Sequence, residues 1–263
     1  MRRSSVVSDD EEKSAGSRSG AQAVERAIAV LRLFESAEPD LGITEIAHRT
    51  DLRISTAHRI VTALRHGGLL ERDASTERYR LGVGMLTLGR RASDVLGIPR
   101  FVPSLEALAA ETGESVNLGI RSGGEIVVVH RIASTHPLRF DQEPGSRVPI
   151  YASAMGKALL AAADDPAAEV KALGTLERIT KQTETAKALV EDLTTVKDRG
   201  WSLNDEERNV GVRAVGAAVC DPVGRPIAAI AVQGPAVRLT DARVKELGPL
   251  VSRTAGQMSR LST

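Results

Sequence analysis

Between Arg53 and His66 the side chains able to donate or accept hydrogen bonds fall into one sector, provided the segment is helical. At ~100° per residue, Ser55, Arg59, Thr62 and His66 share the side opposite Ala57, Ile60, Val61 and Leu64, with His58 and Arg65 at its flank and Arg53 and Thr56 at its start. The chemistry this set suits is recognition. A guanidinium can fork onto a guanine edge, hydroxyls can reach phosphates or bases, and imidazole can do either according to its proton. A solvated polar face on an ordinary helix would carry the same residue types, so the flanking segments have to decide.

Those flanks run from Leu41 to Leu81. Thr44 is placed to cap a short first helix with Glu45 in its first turn, where a carboxylate suits the positive end of the dipole. Asp51-Leu52-Arg53 makes the turn, and Ser55 is placed to cap the second helix, which ends at Gly67-Gly68 with the first glycine in the left-handed conformation. A hairpin follows: Leu69 to Arg72, a polar turn Asp73-Ala74-Ser75-Thr76-Glu77, then Arg78 to Leu81, with Leu69 and Glu71 alternating against Tyr79 and Leu81. Arg72, Arg78 and Arg80 would make it a wing on the phosphate backbone or in the minor groove. Two helices, a turn and a hairpin predict a winged helix-turn-helix, whose polar helix enters the major groove of double-stranded DNA; Thr44, Arg53, Ser55, Thr56, His58, Arg59 and Thr62 are its expected contacts.

Charge is consistent with a small reading head. The 263-residue chain has 35 Lys+Arg against 34 Asp+Glu, a formal charge of +1, yet between His48 and His66 four arginines meet only one acid, Asp51. A neutral body with a local basic head needs two heads on one operator for affinity, which predicts a homodimer on an inverted repeat. Aromatic residues make up 2% of the chain, which disfavours the stacking platforms used on RNA and single strands. The single Cys220 suits a reducing cytoplasm. Neither an apolar run of membrane-spanning length nor an export signal is expected.

The remaining elements are read from period. Residues 1–19 are Ser-rich with an acidic run and are expected to be a disordered tail. Order is expected from near Ala21, with Val24, Ile28, Leu31 and Phe34 forming the buried stripe of a third helix in a head spanning 20–82. Met85 to Leu96 reads as a linker helix and dimer contact over 83–97. From 98 to 263 the pattern changes: a helix from Arg100 to Thr112, a hairpin around Ser122-Gly123-Gly124, apolar segments at Leu138 to Phe140, Val212 to Cys220 and Pro226 to Val232, and helices over Gly156 to Ala163, Ala186 to Arg199 and Asp241 to Met258. Hairpins with helices around them predict an α/β (α+β) sensor domain with a largely antiparallel sheet.

Marks of catalysis fail on spacing. Gly82-Val83-Gly84 lacks the third glycine of a dinucleotide loop, because Thr87 stands there. Met155-Gly156-Lys157 ends like a phosphate loop, but Tyr151 replaces its first glycine and Ala158 follows the lysine. Ser153 and Lys157 lie outside Ser-Lys hydrolase spacing; His130 and His136 have no metal-ligand context; Cys220 reads as a small sheet residue. No metal, cofactor or catalytic residue is expected, and the chain does not read as an enzyme.

AQAVERAIAVLRLFE, ISTAHRIVTALRHGGLLERD, YRLGVGMLTLG, YASAMGKALLA, TKQTET, GWSLNDEE and GVRAVGAAVCDPVGRPIAAIAVQGP, in that order, resemble the IclR family of bacterial transcriptional regulators over nearly everything after the tail. The resemblance implies a winged helix-turn-helix, a linker helix, a GAF-like domain that binds a small metabolite, and dimers that often pair into tetramers. It carries the effector pocket onto Phe140, Val148, Ala154, Met155, Asn204, Val212, Ala214, Ala231 and Gln233. Members that bind small keto acids carry an acid at Asn204, a Cys at Ala214 and Ser at Ala231 and Gln233. Those departures remove charge and hydroxyls, so the pocket is expected to favour a larger or partly apolar acid, aromatic acids among them, over glyoxylate or pyruvate. The implied function is a ligand-responsive regulator, a repressor of a catabolic or metabolic operon modulated by a small organic acid. An activator of the same architecture, an enzyme with an appended DNA-binding head and a constitutive architectural DNA binder stay open as alternatives.

Overall fold

The computed structural model describes residues 9–35 and 38–262, with side-chain environments from Gly20 onward. The chain divides into two compact units, one ending at Val95 and the other beginning at Leu96.

In the first unit, α1 (Asp9–Arg32) runs into a 3-10 turn, Leu33–Glu35. The tail expected over 1–19 lies outside the described residues at 1–8, and α1 begins at Asp9, well before the expected start near Ala21. Its buried stripe also differs in phase: Val30 and Phe34 are buried with Ala27 and Leu31 packed beside them, whereas Val24 and Ile28 are exposed. Two apolar stripes that share Leu31 and Phe34 overlap in this sequence, roughly 55° apart at ~100° per residue, and only packing against the next helices selects one.

Helices α2 (Ile43–Arg49) and α3 (Ile54–His66) follow, with Asp51 in the turn at φ 52°, a left-handed conformation that Asp tolerates. The caps differ from expectation. Gly42, not Thr44, precedes α2, and the Glu45 carboxylate accepts from the Gly42 amide at 2.8 Å; Arg53, not Ser55, precedes α3. Thr44 and Ser55 therefore sit one residue inside their helices, exposed and free of the capping role. At the far end Gly68 takes the left-handed conformation while Gly67 stays right-handed. Strands β1 (Leu70–Arg72) and β2 (Tyr79–Leu81) pair antiparallel with Leu70 opposite Leu81. The inward residues are Leu70 and Tyr79 rather than Leu69 and Leu81, since a bridge from Leu41 to Tyr79 turns that ring into the core. Helix α4 (Val83–Val95) starts where Gly82 and Gly84 pass over the Gly68 carbonyl; a Cβ at either would meet that oxygen. Close backbone approach, not a dinucleotide, accounts for those glycines.

The second unit holds α5 (Ile98–Thr112), β3 (Ser115–Ser122), β4 (Glu125–Ile132), β5 (Arg147–Pro149), α6 (Ala154–Ala161), α7 (Pro166–Ala172), α8 (Ala186–Arg199), β6 (Ser202–Asp205), β7 (Val212–Cys220), β8 (Pro226–Pro235) and α9 (Asp241–Ser259). The strands form an antiparallel sheet in the order β5-β4-β3-β8-β7-β6. One face packs on α5 and α9 through Leu105, Leu118, Val215, Ile230 and Leu247; the other packs on α6 and α8 through Met155, Leu160, Leu193, Ala229 and Ala231. Covering both faces explains why β7 and β8 read as unbroken runs of small apolar residues. Leu138 to Phe140 is not a strand, and the short edge strands β5 and β6 and the helix α7 were not expected. Helix α6 begins two residues before Gly156, which must be glycine because a Cβ there would run into the Ile150 backbone.

Candidate nucleic-acid interface and ligand pocket

On α3 and at its N-cap the structure exposes Arg53, Ser55, His58, Arg59, Arg65 and His66 and leaves Thr56 and Thr62 half-buried, while Ala57, Ile60, Val61 and Leu64 lie in the core. Arg59 and Thr56 border a groove toward Ala23 and Ala27 of α1, so Arg59 stands at the α1 edge of the polar face rather than at its centre. Among the described residues Arg53, Arg59 and Arg65 have no ion-pair partner, and their charge is available to a ligand.

The wing differs. Arg72 pairs with Glu77 at 2.8 Å and Arg80 with Glu71 at 3.3 Å. Arg78 is held by Asp40 and by Glu45 at 2.8 Å, tying the hairpin to the start of α2. The Gly42 amide and the Arg78 guanidinium hold Glu45 below the usual carboxylate range. Arg78 thus clamps the hairpin to α2, and Arg72, Arg78 and Arg80 would each have to leave an acid to touch phosphate. In the turn, the Asp73 carboxylate accepts from the Ser75 and Thr76 amides at 2.8 and 2.9 Å, a local turn that shapes the wing tip.

In the second unit Val148, Ala154, Met155, Asn204, Val212, Ala214, Ala231 and Gln233 line one cavity of about 30 Å³. Of the expected set, Phe140 alone stands outside the lining: its carbonyl accepts weakly from Gln233 at 3.5 Å and its ring faces Arg208 at 5.6 Å. Sequence reasoning missed Gln142, Ala152, Ser153, Arg208 and Asn209, which complete the wall. It is therefore less apolar than expected. The volume admits on the order of one or two waters, so an aromatic acid fits only after the wall moves. Asn204 donates to the Ala152 carbonyl at 2.6 Å, and the Ser153 hydroxyl caps α6 through the Gly156 amide at 3.1 Å.

Beneath this wall lies Lys157, 1% exposed. Its ammonium meets Glu207 at 2.7 Å, Asp192 at 2.9 Å and Glu184 at 3.5 Å. Thr180 and Thr183 hydroxyls donate to the Glu207 carbonyl at 3.1 and 2.7 Å. The segments TKQTET and NDEE are thus the fastening of the loop that carries Arg208 and Asn209, and the lysine that looked like part of a phosphate loop is spent on acids. Burial opposes charge on Lys157, yet the three carboxylates outweigh it and hold the ammonium above its ordinary pKa. One ammonium cannot neutralise three acids, and burial pushes Glu207 up to about 7. A carboxyl raised in the folded state contributes stability that is complete below the ordinary carboxylate pKa and is lost as pH rises through about 7. Melting temperatures should therefore fall from pH 6 to pH 8 in the native chain and fall less in Glu207→Gln; parallel curves would show that Glu207 does not titrate there.

Residues 23–74 match the IclR helix-turn-helix family model and residues 96–260 the IclR C-terminal model of bacterial transcriptional regulators. The regulator BhcR of Paracoccus denitrificans is 35% identical over 244 residues, 91% of this chain and 87% of its own. The repressor AllR of Escherichia coli is 32% identical over 249 residues, 91% and 90% of the two chains. A transcriptional regulator from Rhodococcus superposes with a TM-score of 0.78 at 27% identity, over 92% of this chain and 98% of that one. An IclR regulator from Alicyclobacillus acidocaldarius reaches 0.81 at 23% identity, covering 92% and 99%, a likeness of fold. Family models that account for both units, joined to relatives matched over nearly the whole length, make this chain a member of the IclR family, DNA-binding transcriptional regulators rather than enzymes.

Proposed function

We propose that the protein is a cytoplasmic repressor that works as a homodimer, or a pair of dimers, on an inverted-repeat operator and changes its grip when a small organic acid enters the pocket around Ala231. The single observation that carries ligand control is that cavity: residues from β5, α6, β6, β7 and β8, distant in sequence, leave a space with both polar and apolar walls inside an otherwise packed layer. The AllR relative, named as a repressor, supports repression. Helix α4 supports the dimer. None of its residues is buried, and Val83, Leu86, Leu88 and Val95 are exposed; a short helix with bare apolar residues needs a partner surface, and a second copy presents the same one.

The head reads DNA through Arg53 at the N-cap of α3 and Ser55, Thr56, His58, Arg59 and Thr62 on that helix, with Thr44 at the start of α2 and Arg72 and Arg80 on the wing. Genome-wide mapping of bound sites supplies the operator, and neighbouring catabolic genes supply acids to try. Operator titration with and without those acids then compares the native chain with Ala231→Val, a substitution small enough for a cavity of about 30 Å³. The native dimer should weaken on the operator with acid, and Ala231→Val should bind DNA but ignore the acid, since an effector shifts affinity only by distinguishing two states. A folded Ala231→Val that responds fully places the effector elsewhere, and a monomer that binds one half-site tightly removes the paired-head reading.

A further inference from the structure

Six arginines of the C-terminal unit are partly or fully buried: Arg131, Arg199, Arg208, Arg213, Arg238 and Arg243. Arg131 meets Asp141 and Glu143, Arg199 faces Asp192 at 3.8 Å, Arg213 meets Asp205 and Asp241, Arg238 meets Glu114, and Arg243 meets Glu246 at 2.8 Å. Arg208 alone has no carboxylate and no hydrogen bond among the described residues; its guanidinium has only the Phe140 ring, 5.6 Å away. Its sequence neighbours are committed elsewhere. Glu207 is turned under the wall to Lys157, the Glu206 carboxylate accepts from the Gly211 amide at 2.6 Å, and Asp205 belongs to Arg213.

A second donor in the same cavity is also unspent. Gln142, 6% exposed, has a side-chain amide nitrogen with no hydrogen-bond partner. Burial without an opposing acid pushes the Arg208 pKa down, which is the signature of a cation lacking its counter-ion. Proteins seldom leave a buried charge unpaired, and a planar guanidinium matches a carboxylate with two parallel hydrogen bonds.

We propose that Arg208 is the specificity-determining anion anchor of the pocket, pairing with the carboxylate of the effector while Gln142 donates a further hydrogen bond. The proposal rests on reading the cavity as the effector site and adds the charge the ligand must carry. The rest of the ligand lies against Val148, Met155, Ala214 and Ala231. A net neutral metabolite without an acid group is disfavoured, because it would leave the half-buried guanidinium without a counter-ion.

The test uses the full-length protein with sodium pyruvate and sodium benzoate as probes, pyruvamide and benzamide as uncharged controls, in a buffer without other carboxylates. Calorimetric titration and thermal melting are recorded for the native chain, Arg208→Gln, Arg208→Lys and Ala231→Val. At least one acid should bind the native chain and raise its melting temperature, its amide should not, and Arg208→Gln should weaken that acid by about 10- to 150-fold, the range for a charge-assisted hydrogen bond. Arg208→Lys should recover part of the affinity, as a point charge without the fork. Without ligand, Arg208→Gln should melt no lower than the native chain, which a purely structural arginine would not allow. Pyruvate against benzoate tells whether the widened pocket takes a short or an aromatic acid. Equal affinity in Arg208→Gln with loss in Ala231→Val removes the anchor and keeps the site; an acid response unchanged in both removes the site itself; no binding of either acid at ~10 mM, or equal binding of the amides, removes the anion proposal.

Discussion

Lys157→Met should destabilise the C-terminal unit by about 3–5 kcal/mol, the cost of removing one partner from a buried ionic cluster. Glu207, Asp192 and Glu184 converge on that one ammonium at 2.7, 2.9 and 3.5 Å, so its loss leaves three carboxylates facing one another with little water to screen them. A methionine fills the space but supplies no charge. Glu207 and Glu184 are already raised by burial, so both can take protons when the cation is gone. The deficit should therefore be larger at pH 8 than at pH 5.5, and Glu207→Gln on top of Lys157→Met should recover part of it. Trp201, the only Trp in the chain, packs against α9 in this unit, so its fluorescence in urea follows this unit without interference from the head. A loss below about 1 kcal/mol, in the range of an exposed ion pair, would mean that water reaches the cluster. Because the Arg208 loop is fastened through Glu207, ligand binding should fail in milder denaturant than the fold does.

Arg59→Ala should abolish operator discrimination while leaving fold and oligomer intact. The side chain is exposed on α3 and has no ion-pair partner among the described residues, so its removal breaks nothing inside the head. A forked base contact contributes about 1–3 kcal/mol per head. With two heads on one operator the loss is about 2–6 kcal/mol, or roughly 30- to 2 × 10⁴-fold in affinity. Arg80→Ala is the internal comparison. Its guanidinium is held by Glu71 across the hairpin, so it should weaken operator and random DNA alike, and only slightly. Competition titrations at two salt concentrations separate the outcomes, since a phosphate contact lowers the salt slope by about one and a base contact does not. Equal weakening of Arg59→Ala on both DNAs would reassign Arg59 to the backbone, which its place at the α1 edge of the polar face also permits.

The helix-turn-helix is legible in the sequence because what makes it is local. Ala57, Ile60, Val61 and Leu64 repeat at helical period, Asp51 accepts the left-handed turn, and Gly67-Gly68 ends the helix. Strands β7 and β8 are legible for the same reason, as apolar runs joined by a tight turn at Asp221-Pro222-Val223-Gly224. Where local signals are balanced the outcome is set elsewhere: two apolar stripes of α1 share Leu31 and Phe34, Gly42 and Arg53 rather than Thr44 and Ser55 precede their helices, and the short strands β5 and β6 carry too few residues for a period.

By itself, then, the sequence determined the element types, the polar face of α3, the family and, through the resemblance, most of the pocket wall. Tertiary structure alone decided which charges are free. Arg78, Arg72 and Arg80 look like free cations until Asp40, Glu45, Glu77 and Glu71 are seen beside them. Lys157 looks like part of a phosphate loop until acids at positions 184, 192 and 207 close over it, and Arg208 looks like any loop arginine until its neighbours turn away. Helical and strand periods arise from backbone geometry repeated every few residues, so a short window contains them. The pairing of a charge depends on which distant segments the fold brings within about 4 Å, and on how little water remains there, and no window of sequence contains that.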